Sequence, residues 1–112
     1  MKIMIVDDEA DIGFVLGIEL KRLGHEIQTF ESALAAKSYI EKEIPDAIIC
    51  DFQMPRMNGL EFFLWLKEQG HQIPFYILTG EPSMDAKQLV SMGITEVLFK
   101  PQDLLRLSKI FK

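Results

Sequence analysis

Residues 45–59 read PDAIICDFQMPRMNG, and the fold turns on the strand Asp46–Asp51 inside that stretch, built around Ala47-Ile48-Ile49-Cys50. Four apolar residues in unbroken succession, with no polar alternation, describe a short strand covered on both faces, as in a parallel sheet with helices above and below. Pro45 bounds it on one side, and the Pro55 to Gly59 run forms a loop that leads into a helix near Asn58. The strand ends on Asp51. A carboxylate next to an apolar core is costly unless other groups come to it, so the remainder of the chain is best read by what it can bring to that position.

Working outward, Lys2–Val6 is a second apolar run, stopped by the acids Asp7-Asp8-Glu9. From Ala10 to Leu23 the period is helical, with Ile12, Leu16, Leu20 and Leu23 on one stripe, Phe14 and Ile18 opposite, and Gly24 as the stop. His25–Phe30 reads as a strand, and Ser32 caps a helix running to about Lys42 with Ala33, Ala36, Tyr39 and Ile40 inward. On the other side, Phe62, Phe63 and Leu66 form the buried face of the third helix, while Leu64 and Trp65 point largely away from it. Phe75–Thr79 is a fourth strand, Ser83 is expected to cap a fourth helix ending near Met92-Gly93, Glu96–Phe99 is a fifth strand, and Asp103–Phe111 is a brief last helix. Strands that alternate with helices imply a doubly wound α/β fold: a five-stranded parallel sheet joined by right-handed crossovers, with helices on both faces.

At 112 residues the chain is expected to be a single domain, 1–112, with no output domain in this chain. A net charge of -5 argues against nucleic-acid or membrane binding by bulk electrostatics. The single cysteine, Cys50, excludes an internal disulfide and supplies no metal spacing. No leader or membrane-length apolar run is evident, and a cytoplasmic location is expected.

In doubly wound folds ligands bind at the carboxyl ends of the strands. Those ends carry Asp7 and Asp8, Asp51, Thr79 and Lys100. Gathered carboxylates raise one another's pKa unless a cation intervenes, and a hard divalent ion such as Mg²⁺, which takes few protein ligands, suits them. A lysine and a hydroxyl add donors for phosphoryl oxygens, and the set describes phosphoryl transfer to an aspartate. Taken singly these residues have plainer roles: an acidic helix start for Asp7 and Asp8, a strand-end threonine, a solvated lysine.

The motifs Val6-Asp7-Asp8, Asp51 followed by Met54-Pro55-Arg56-Met57-Asn58-Gly59, Thr79, and Lys100-Pro101 resemble those of the receiver domain of two-component response regulators, a flavodoxin-like fold. The resemblance covers essentially the whole chain. It implies that Asp51 is the phosphoacceptor, that Asp8 and Asp51 ligate Mg²⁺ with Asp7 acting largely through water and the Gln53 backbone carbonyl contributing, and that Thr79 and Lys100 contact the phosphoryl group. It further implies a cis Lys100-Pro101 bond, a histidine kinase or histidine phosphotransfer protein as donor, a downstream protein partner, and no enzymatic activity beyond the domain's own phosphorylation and dephosphorylation.

Two departures limit the likeness. Val97 stands three residues before Lys100, where the family usually carries an aromatic that swings inward on activation, and Gln102 stands where phenylalanine is common. A phosphorylation-independent docking module of the same fold is therefore the alternative. A haloacid-dehalogenase-like phosphatase would need a DxD after the first strand, and a flavodoxin a Gly- and hydroxyl-rich loop there; Asp7-Asp8-Glu9 is neither. Gln53 and Glu81 are expected near enough to the site mouth to tune water access.

Overall fold

In the computed structural model, which describes residues 1–112, β1 (Lys2–Val6), β2 (Glu26–Phe30), β3 (Ala47–Asp51), β4 (Phe75–Thr79) and β5 (Glu96–Phe99) alternate with α1 (Ala10–Arg22), α2 (Ala33–Ile40), α3 (Gly59–Glu68), α4 (Ala86–Ser91) and α5 (Arg106–Ile110). All pairings are parallel and the strand order is β2-β1-β3-β4-β5. The expected doubly wound sheet is thus present. The order reverses between β1 and β3, which places the ligand crevice of such folds between Asp7 and Asp51.

The pleat sorts the core into two layers. Ile3 and Ile5, Ala47 and Ile49, Leu78 and Leu98 face one side and pack with Leu16 and Leu20 of α1 and Leu107 of α5. Met4 and Val6, Ile48 and Cys50, Phe75 and Ile77 face the other, under Ala36 of α2, Phe62, Phe63 and Leu66 of α3, and Leu89 of α4. All five residues of β3 are buried, as its unalternated sequence requires.

Three boundaries differ from the sequence reading by more than a single residue, and one side-chain placement differs as well. Ser83 does not cap α4: Asp85 does, its Oδ1 accepting the Gln88 N–H at 3.1 Å, while the Ser83 hydroxyl donates to Glu81. α5 starts at Arg106 instead of Asp103, because the Asp103 carboxylate accepts the Phe99 N–H at 2.8 Å and holds residues 101–105 in turns. α2 ends at Ile40, short of Lys42. Trp65 does not point away from the core: its ring stacks on Phe62 with centroids 6.3 Å apart, and Lys37 Nζ lies 4.7 Å over it from α2. Phe14 and Ile18 are exposed as expected, at 68% and 55%, and Leu64 is exposed too.

Candidate functional site

Asp51 sits where it does because the loop that joins β3 to α3 is tied back onto the strand end. The Phe52 N–H donates to Leu78 O at 2.8 Å, and the Gly59 N–H returns to Phe52 O at 2.9 Å, closing the intervening loop on the strand end. α3 then starts with a reciprocal cap, in which Asn58 Oδ1 accepts the Glu61 N–H and Glu61 Oε1 accepts the Asn58 N–H. Gly59 is required by space: a Cβ there would lie 2.7 Å from the Asp51 carbonyl oxygen and 3.1 Å from Phe52 Cα, backbone atoms that cannot rotate away.

The same alternation that builds the core places the polar groups. Asp7 continues the phase of Ile3 and Ile5, Asp51 that of Ala47 and Ile49, and Lys100 that of Leu98, so all three emerge toward the α1 and α5 side of the sheet edge. Carboxylate oxygens of Asp7, Asp8 and Asp51 all lie within 4.8 Å of one another. Lys100 Nζ donates to Asp51 Oδ1 at 3.1 Å and to Asp7 Oδ2 at 3.3 Å, and stands 3.7 Å from Glu9 Oε1. Asp7 and Asp51 are buried and Asp8 is exposed. Asp7 Oδ1 also accepts the Glu9 N–H at 2.8 Å, which folds the chain from strand into α1.

One ammonium faces several carboxylates, and the electrostatics follow from that imbalance. Burial, then the charge of Asp7, pushes the Asp51 carboxyl up from 3.8 to about 6 despite Lys100. Asp7 is raised as well, chiefly by burial, with the Glu9 N–H and Lys100 pulling the other way. Lys100 is raised by Asp51 and Asp7 even though its own burial, the largest single influence, opposes this. A cluster that holds excess negative charge at this cost has the donor set of a hard divalent cation.

Thr79 ends β4, buried, and its hydroxyl oxygen accepts the Glu81 N–H at 3.0 Å, which keeps its proton for another acceptor. Thr79 continues the phase of Ile77, so it approaches from the α3 and α4 side. Gln53 is exposed two residues beyond Asp51, and Glu81 is exposed with its carboxylate accepting the Ser83 hydroxyl at 2.8 Å. The Lys100-Pro101 bond is cis. Glu9 is the group that sequence reasoning passed over. It marked only the end of a strand, yet it is the N-cap residue of α1 with no capping bond and turns its carboxylate toward Lys100. Its place directly after an acidic pair at a strand end was the available signal.

An all-parallel sheet with its acids and a lysine converging at the crevice defines a flavodoxin-like protein with an anionic strand-end site. The family model for the response regulator receiver domain matches residues 3–112, and the chain belongs to that family. It is 32% identical over 111 residues to the Regulator of RpoS of Escherichia coli strain K12, covering 97% of this chain and 33% of that protein. It is also 32% identical to the alkaline phosphatase synthesis transcriptional regulatory protein PhoP of Bacillus subtilis, covering 89% of this chain and 42% of that one. The chain thus spans about a third to two-fifths of these relatives' length. Among solved structures, the chemotaxis response regulator CheY4 of Vibrio cholerae superposes with a TM-score of 0.85 at 31% identity, covering 99% of this chain and 98% of that one. A response regulator receiver domain protein from Clostridium thermocellum gives 0.88 at 27% identity, covering 98% and 90%. Receiver domains are the phosphorylated signalling modules of two-component systems, they take phosphoryl groups from histidine kinases, and their Mg²⁺ site is an acidic aspartate cluster of the kind seen here. No helix of this chain is long and apolar enough to cross a membrane.

Proposed function

We propose that Asp51 is the phosphoacceptor of this receiver domain. The observation that carries the reading is the convergence of Asp7, Asp8 and Asp51 within 4.8 Å, with Lys100 Nζ bridging Asp51 and Asp7 at the sheet's switch point. A carboxylate oxygen of Asp51 attacks the phosphorus of a phosphohistidine. The new O–P bond forms as the P–N bond breaks, and the electron pair leaves with the imidazole nitrogen, which takes up a proton. Lys100 already touches Asp51 and donates charge-assisted hydrogen bonds to the phosphoryl oxygens, and the Thr79 hydroxyl supplies a further donor. Asp8 and Asp51, the Gln53 carbonyl, and Asp7 through water are the groups that would hold Mg²⁺. When bound, the ion neutralises the cluster and the transferring group. Gln53 and Glu81 flank the mouth, where they tune water access to the acyl phosphate. Replacing either should change the dephosphorylation rate; no change for both removes that role.

The donor's docking surface is the exposed ridge Phe14, Val15 and Ile18 on α1, an apolar patch next to the site. It is flanked by a groove of about 640 Å³ toward Pro101, Leu104 and Leu105. A histidine kinase or phosphotransfer protein that presents its histidine beside an apolar helix face fits that ridge. The test of the acceptor assignment is incubation with phosphoramidate and Mg²⁺, followed by intact-mass measurement on wild type and Asp51→Asn. Phosphorylation of the wild type alone supports the reading, and a mass gain in both proteins or in neither overturns it.

The output surface departs from the family's usual device. Val97 is buried at 6% in the layer under α4, and no aromatic stands there to change rotamer. That observation favours a second reading, a docking module whose downstream output is independent of phosphorylation. Output that survives Asp51→Asn selects it.

A further inference from the structure

The geometry points to Glu9 as the residue that sets donor selectivity at the site, an electrostatic filter that disfavours small dianionic phosphodonors; this rests on Asp51 being the acceptor. Glu9 occupies the N-cap position of α1, yet its side chain makes no capping bond. Its carboxylate stands 3.7 Å from Lys100 Nζ, on the ammonium that also holds Asp51 at 3.1 Å and Asp7 at 3.3 Å. In the unphosphorylated domain the Lys100 ammonium thus donates to Asp7 and Asp51 and pairs at longer range with Glu9. Two of those carboxylates, Asp7 and Asp51, are buried, whereas the Glu9 side chain is 64% exposed. Glu9 is therefore the solvent-exposed member of the three carboxylates paired with Lys100. It lies no more than about 7 Å from the Asp51 carboxylate, because both reach the same nitrogen.

Two consequences act in the same direction. Glu9 competes with an arriving phosphoryl group for the one cation that would receive it, and its charge repels an anionic donor in proportion to the donor's own charge. Acetyl phosphate, a dianion at neutral pH, meets about twice the repulsion met by phosphoramidate, a monoanion. A histidine presented by a docked protein has its encounter set by the apolar ridge and is less affected. With acetyl phosphate the reaction is attack by Asp51 oxygen on phosphorus, with formation of the O–P bond, cleavage of the P–O bond to the acetyl group, and departure of acetate with the electron pair. Glu9 takes no part in that bond exchange. It is a positioning residue acting through Lys100 and through the local field.

The experiment measures Asp51 phosphorylation rates of wild type, Glu9→Gln and Glu9→Asp, with acetyl phosphate and with phosphoramidate, in Mg²⁺ at low and at high salt. Glu9→Gln should accelerate acetyl phosphate about threefold at low salt and phosphoramidate less than twofold, through the half-saturating donor concentration and not the maximal rate. High salt should erase most of the difference, and Glu9→Asp should behave as wild type. Mg²⁺-induced thermal stabilisation, measured alongside, should be retained in Glu9→Gln, which separates donor exclusion from metal affinity. Equal acceleration of both donors, a salt-independent effect, or no effect overturns the filter. Failure of wild type itself to be phosphorylated, or phosphorylation of Asp51→Asn, would instead overturn the acceptor assignment.

Discussion

Removing the charge of Asp51 should stabilise the Mg²⁺-free protein, because the site holds more negative charge than Lys100 can offset. The Asp51 carboxyl titrates at about 6 in the fold against 3.8 in its ordinary state. A shift of that size corresponds to at most about 3 kcal/mol of folding free energy lost when the group is ionised. Solvent at the site mouth screens part of this, and Asp51→Asn also loses the charged contact to Lys100 at 3.1 Å. A net stabilisation of about 1–2 kcal/mol at pH 8 remains, or about 5 °C or more in Tm for a domain of this size. The sign with pH is set by the direction of the shift. A carboxyl whose folded pKa is raised binds its proton more tightly in the fold, so wild type regains stability as pH falls through about 6 toward 4, and the advantage of Asp51→Asn shrinks by about half between pH 8 and pH 5. The assay is urea unfolding in EDTA at pH 8, 6.5 and 5, on wild type and Asp51→Asn. If Asp51→Asn is less stable than wild type at pH 8, or the gap widens on acidification, the picture of an under-neutralised cluster is wrong.

Three further outcomes follow from the same contacts. Mg²⁺ should raise the Tm of wild type at pH 8 by several degrees at concentrations well above its Kd and raise that of Asp51→Asn much less, by the mass-action stabilisation of a ligand bound only in the fold; equal shifts would show that the ion binds elsewhere. Gly59→Ala should cost about 2 kcal/mol or more, since the added Cβ lies 2.7 Å from the Asp51 carbonyl oxygen, and should slow phosphorylation at Asp51 as well, and an unchanged urea midpoint would contradict the close approach. Phe14→Asp together with Ile18→Asp, both exposed, should leave stability within about 0.5 kcal/mol and phosphorylation by phosphoramidate intact while abolishing transfer from a cognate kinase; undiminished transfer would remove α1 as the docking ridge.

Much of this architecture is legible in the sequence because it depends on period and punctuation. The unalternated run before Asp51 reads as a doubly covered strand, and Gly24 and Asn58 bound their elements where the structure has them. What escaped was decided by competition between near neighbours or by side-chain reach. Ser83 and Asp85 are both good caps three and one residues before the helix, and the sequence does not show that Ser83 is taken up by Glu81. Trp65 lies off the buried stripe of α3 by helical phase, but its ring is long enough to lie back on Phe62 and under Lys37. At the site, Asp7, Asp51 and Lys100 were legible as strand-end residues. That they share one pleat phase, and that Glu9 leans onto the same ammonium, depends on register and rotamer.

The most direct measurement is chemical location of the phosphoryl group. After reaction with phosphoramidate and Mg²⁺, borohydride reduces an aspartyl phosphate to homoserine, which peptide mass spectrometry places in the sequence. Homoserine at position 51 alone, dependent on Mg²⁺ and on the donor, is the predicted result. Homoserine at position 7 or 8, or its absence from position 51 in a protein that has gained a phosphoryl group, would contradict the assignment on which the site is built.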